Sequence, residues 1–133
     1  MTVGALSPSW VDAAASHGVT PATVNISVRD ADVWHTFRDA KTAKLPLDWY
    51  QDLPRHLRAP GAVVLDMTRT DEPAFLLIYA AGAAAASKKL VMRVNYRIKK
   101  GGVVNIIETG KLVDTSGIRA MIGHGYELVE GSL

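Results

Sequence analysis

The chain has 133 residues, enough for one domain around one core. Hydrophobic residues are 48% and charged residues 21%, as in an ordinary globular protein, and a net charge of +2 is too weak for a bulk nucleic-acid binder. The absence of cysteine excludes disulfides, thiolate nucleophiles and cysteine-based zinc sites. No apolar run reaches the ~18 residues of a membrane span, and no basic region precedes an apolar block at the N-terminus. Neither a membrane partner nor a signal peptide is expected.

Residues 1–22 are rich in Ala, Ser, Gly and Pro and read as a linker or loosely packed N-terminal segment. A short helix is expected within it at SWVDAAASHG, capped by Ser9 and stopped by Gly18. VNISVR (24–29) alternates like a strand. ADVWHTFRDAK (31–41) reads as a helix capped by Asp30 or Asp32. PLDWYQDLPRHL (46–57) is a second helical piece that Pro54 should end or kink. Four strands follow: AVVLDMT (62–68), FLLIYAA (75–81), KLVMRVNYRIKK (89–100) and, after Gly101-Gly102, VVNIIETG (103–110). A short helix at 114–125 and a last strand at 126–131 complete the chain. Helices first and strands after predict an α+β fold with N-terminal helices packed on a four-stranded antiparallel meander sheet. The domain proper would be residues 23–133.

On the 31–41 helix, Val33, Phe37 and Ala40 make the buried stripe. His35, Arg38 and Lys41 spread over roughly 120° of the other side, with Trp34 between Arg38 and Lys41. The ordinary reading is a solvated basic face. The functional one is a phosphodiester site, with Trp34 stacking on a base. On the third strand Leu90, Met92, Val94, Tyr96 and Ile98 share one face. Val91, Arg93, Asn95, Arg97 and Lys99 share the other, a basic ladder suited to phosphate. Whether Asn105 and Thr109 join Arg93 depends on the hairpin loop length, which the sequence leaves open. Arg55, His56 and Arg58 read as charges favoured at a helix C-terminus, His124 as a loop residue, and His17 as a residue without a role.

No HExxH and no histidine pair at ligand spacing occurs, so no metal site is expected. GxGxxG, GxxxxGK[ST] and GxSxG are absent, so neither a nucleotide cofactor nor a hydrolase elbow is expected. RNA cleavage is compatible with these absences. The 2′-hydroxyl is the nucleophile, and the protein needs a base, an acid and cations at the phosphate.

LPLDWYQDLPRHLRAPGAVVLD (45–66), LVMRVNYRIKK (90–100), VVNIIETGKLVD (103–114) and the ending GYELVEG (125–131) resemble the C-terminal region of Mu-like phage head morphogenesis proteins, the F-like minor head proteins. That region resembles the phage branch of the barnase–EndoU–colicin–RelE nuclease superfamily. The resemblance implies a metal-independent ribonuclease-like site between helix and sheet, producing a 2′,3′-cyclic phosphate. It implies His35 as general base or acid, and Arg38, Lys41 and Arg93 at the phosphate. Thr109 or Asn95 would add a hydrogen bond, with Trp34 and Arg97 helping to hold substrate. A second catalytic histidine is missing unless His56 or His124 folds in, and Lys41 or Tyr96 could fill the gap only with a perturbed pKa.

Three functions compete at this stage: a ribonuclease domain attached to a phage head protein, a non-catalytic virion domain that binds capsid, portal or nucleic acid, and a generic RNA-binding module. The expected setting is the virion or the host cytoplasm, with RNA and head or portal proteins as partners. The chain has the length of a domain split from a longer head protein.

Overall fold

The computed structural model describes residues 2–28, 51–69, 71–80, 86–98 and 101–133. In chain order these form β1 (Thr2–Ala5), α1 (Pro8–Ser16), β2 (Asn25–Val28), α2 (Leu53–Arg58), β3 (Ala62–Asp66) and β4 (Ala74–Ala80). Then come β5 (Ala86–Ile98), β6 (Gly102–Asp114), α3 (Thr115–Met121) and β7 (Tyr126–Gly131). The strands make one sheet in the order β1-β2-β6-β5-β4-β3-β7. β2 and β6 run parallel, and every other neighbouring pair is antiparallel.

This overturns the expected fold class. The architecture is a seven-stranded mixed sheet with three short helices among the described residues, not N-terminal helices on a four-stranded meander. β3 to β6 do lie side by side in chain order, but as the middle of a larger sheet. The added strands are short, and their partners are distant in sequence: β2 pairs with β6 across some 80 positions, as Ile26 faces Asn105. Local periodicity carries no information about such pairings.

β3 and β4 are continuous apolar runs because both of their faces are covered. On one side Val63, Leu65, Phe75, Leu77, Leu90 and Met92 meet α1 and α2 through Trp10, Ala14, Leu53 and Leu57. On the other side Ala62, Val64, Leu76 and Ile78 meet Ile118 of α3.

Where composition suggests a linker at 1–22, the structure has β1 and α1. Trp10 is 1% exposed, its ring centroid is 5.9 Å from that of Phe75, and its Nε1 donates to Glu130 Oε1 at 2.5 Å. Alanine supplies helix propensity there, and one tryptophan supplies the apolar area. Pro54 marks a break in the second helical piece, as expected. Gln51 is helical, Asp52 is a turn and α2 begins at Leu53, so the helical piece is interrupted just before Pro54, which sits in the first turn of α2, where a missing N–H costs nothing.

Candidate anion-binding face of the sheet

The long β5–β6 hairpin contains two bulges. Val91 faces Thr109 while Met92 faces Ile107, so Glu108 is an extra residue on β6. Arg93 faces Ile106 while Tyr96 faces Val104, so β5 carries an extra residue at Val94–Asn95. The two insertions cancel, and the register is the same at both ends of the hairpin.

Asparagines hold the second bulge. Asn95 adopts φ +57°, a left-handed conformation that asparagine tolerates better than most residues. Its Nδ2 donates to Thr20 O at 3.0 Å, and its Oδ1 accepts from Ala22 N at 2.8 Å. Asn105 is fully buried. Its Nδ2 donates to Thr23 O and Asn25 O, and its Oδ1 accepts from Asn95 N. Asn95, expected at the substrate, is instead committed to fastening the α1–β2 loop to the sheet.

The bulge also breaks the expected basic ladder. Directly opposed residues point to the same side of a sheet. Arg93 and Tyr96 oppose Ile106 and Val104, which share a side, whereas Arg97 opposes Val103 and turns to the other. The open loop-length question is answered by the same register: Thr109 shares a side with Val91 and Arg93, and Asn105 does not.

Arg93 lies at one end of this face, in a cleft of about 410 Å³. Its Nε donates to Glu108 Oε2 at 2.8 Å and its Nη1 to Glu72 O at 3.0 Å. Asp71, Glu72 and Glu108 line the cleft against Arg93 and Arg97. Arg93 spends its Nε and Nη1 on Glu108 and on the Glu72 carbonyl, so its part here is structural and little of its fork is left for the expected phosphate.

Two further cations, Lys89 half-buried and Lys111 exposed, lie along the same side. Lys89 faces Lys111 directly, and Thr109 is exposed one pleat away opposite Val91. Neither lysine enters an ion pair among the described residues. Burial lowers the pKa of Lys89, the charge of Lys111 lowers it further, and Asp66 partly opposes both. The Asp66 carboxylate is itself engaged by Thr68, whose N and Oγ1 both donate to its Oδ1. α3 packs on β3 and β4 through Ile118 and also touches β6, and Val91 and Val113, which flank the lysine pair, pack against the same cluster.

Trp34, His35, Arg38 and Lys41 lie outside the described residues. His17 is 2.6 Å from Glu127 at the α1–β7 contact, and His56 meets Tyr79 edge-on in the α2 layer. His124 is exposed in the turn between α3 and β7. Neither β5 nor β6 carries a histidine.

Lys89, Lys111 and Glu108 are the residues the sequence reading passed over. Their signal was the hairpin itself: a three-residue loop ending at Gly101 sets Lys89 against Lys111. No helix of the described residues is long and apolar enough to cross a membrane. No family model, curated protein or solved structure matches the chain.

Proposed function

We propose that this chain is an RNA-binding domain that holds a single strand's phosphodiester backbone on the β5–β6 face and cleaves it without metal. The observation that carries the reading is the Lys89–Lys111 pair. Like charges directly opposite on a sheet cost stability, and a phosphate between them turns repulsion into attraction. Thr109 adds a hydroxyl donor on the same side.

In the cleavage step the 2′-hydroxyl proton passes to the Glu108 carboxylate as the 2′-oxygen bonds to phosphorus. The bond from phosphorus to the 5′-oxygen breaks, and that oxygen takes a proton from the Lys89 ammonium, which releases it more readily than an exposed lysine does. Products are a 2′,3′-cyclic phosphate and a free 5′-hydroxyl. His35 is the alternative proton carrier that the sequence offers, and Arg38, Lys41 and Trp34 are its companion candidates for substrate contact, all outside the described residues. The resemblance to Mu-like head proteins supplies the setting, in the virion or host cytoplasm beside head or portal proteins. The seven-stranded sheet departs from the four-stranded meander expected from the sequence, so the support lies in the side chains of one face.

A second reading, binding without cleavage in a virion structural domain, is favoured by the Arg93–Glu108 bond, since that bond engages the carboxylate which the cleavage step needs. Anisotropy with a labelled single-stranded RNA, and incubation with total RNA in excess EDTA, test both. Lys89→Gln and Lys111→Gln should each weaken binding and reduce the salt slope by about 0.7. Cuts with cyclic phosphate ends that disappear in Glu108→Gln support the enzyme. Binding with no cuts supports the second reading. A folded wild-type chain that binds no RNA sinks both.

A further inference from the structure

We infer that the cavity adjoining the lysine pair is a nucleobase pocket, which receives the base of the nucleotide whose phosphate lies on Lys89 and Lys111. The inference rests on the RNA reading above and adds where the strand's bases go. The cavity measures about 520 Å³, and its walls include Ile78, Ala86, Ser87, Thr115, Arg119 and Leu133. Small-molecule sites typically span about 300–1,000 Å³, so a base and its ribose fit.

Its position follows from strand geometry. Ser87 and Lys89 are two residues apart on β5 and point to the same side. At a strand rise of ~3.4 Å per residue they are separated by about 7 Å, within the reach of a base from its own phosphate. Val113 and Lys111 repeat the relation on β6, and Thr115 follows at the start of α3. Neither lysine lines the cavity itself, and Ser87 is the wall residue one same-side step from Lys89.

Its chemistry suits a base better than a second phosphate. Ile78, Ala86 and Leu133 offer apolar surface to a flat ring. Ser87 is buried, and its Oγ is 2.6 Å from Thr115 Oγ1. Each hydroxyl has one hydrogen and two lone pairs. Their mutual bond uses one hydrogen, so the pair retains one donor and spare acceptors, the mixed pattern that a base edge matches. Arg119 adds donors and a planar face for stacking. A bare phosphate would use the donors and leave the acceptors and the apolar wall without partners.

Nuclear magnetic resonance on the full wild-type chain tests this with three kinds of probe: inorganic phosphate, ribose 5-phosphate and the four 5′-mononucleotides. Phosphate and ribose 5-phosphate should shift Lys89, Thr109 and Lys111 only. Mononucleotides should shift Ser87, Thr115 and Arg119 as well, and at least one should bind about tenfold tighter than ribose 5-phosphate. Thr115→Val and Arg119→Gln should erase that gain and leave ribose 5-phosphate binding unchanged. Nucleotides that shift only the lysine set overturn the pocket and leave the RNA reading standing. Inorganic phosphate that shifts the cavity set also overturns it. Shifts in the cavity without shifts at the lysines overturn the shared nucleotide, and silence at both sets removes the pocket and the RNA reading together.

Discussion

Asn105 is a fully buried amide on a strand between Val104 and Ile106, and all three of its hydrogen bonds run to backbone atoms. Replacing it with alanine leaves two carbonyls and one amide without that partner in the interior. We expect Asn105→Ala to destabilise the chain by roughly 2–4 kcal/mol, measured by urea unfolding. Lys111 has the opposite balance. Its ammonium faces another across the strands, so Lys111→Gln should stabilise the fold by roughly 0.2–1 kcal/mol while weakening RNA binding. Stability and function then move in opposite directions, as they do where a site carries strain. The pH dependence follows the same pair. Lys89 has a lower pKa folded than unfolded, so the unfolded chain binds more protons in the window just below the ordinary 10.5. Stability should rise as pH climbs through that window, and Lys111→Gln should flatten the rise in unfolding curves taken across it.

At the scale of elements, α1 and β7 depend on each other. Trp10 fills the core beneath α1, and Ser9 and Trp10 both donate to Glu130 on β7, while His17 meets Glu127. We expect Trp10→Ala to cost roughly 3–5 kcal/mol in chemical unfolding, a core-sized loss from a segment whose composition suggests a linker. β7 has its own constraint at Gly131, with φ +78° and a position at which a Cβ would run into the backbone of Gly61 and Ala62. Only glycine fits there, and that close approach helps seat the last strand against β3. Much at this scale was legible in the sequence. The apolar runs of β3 and β4, the apolar side of β5 as far as Val94 and the short helix after Asp114 can each be read from local pattern. The bulge at Val94–Asn95 was not, because it is held by the distant carbonyls and amide of residues 20–25.

At the scale of the whole molecule, β3 and β4 are buried on both faces and should open last. Hydrogen exchange should be slowest at Val63, Val64, Leu76 and Leu77, and the four-residue edge strand β1 should exchange far sooner. Comparable rates at β1 and β4 would show that the sheet does not unfold from its edges. The two layers also divide labour. α1 and α2 close the larger core on one side, and α3 closes a smaller one on the other, with Thr109 and Lys111 exposed on β6 beside it.

The sequence by itself determined most of the strands, β1 excepted, that no cysteine chemistry is available, and that cations gather on the later strands. These are properties of composition and near-neighbour spacing. The tertiary structure decided which cations meet. Arg93 was drawn into a bond with Glu108, Arg97 was turned to the opposite side, and Lys89 was set against Lys111. The reason is that side-chain direction in a sheet has a period of two, so one inserted residue reverses every assignment beyond it. Two such insertions lie in the hairpin, and the bonds that stabilise the one at Val94–Asn95 come from the α1–β2 segment some 75 residues away.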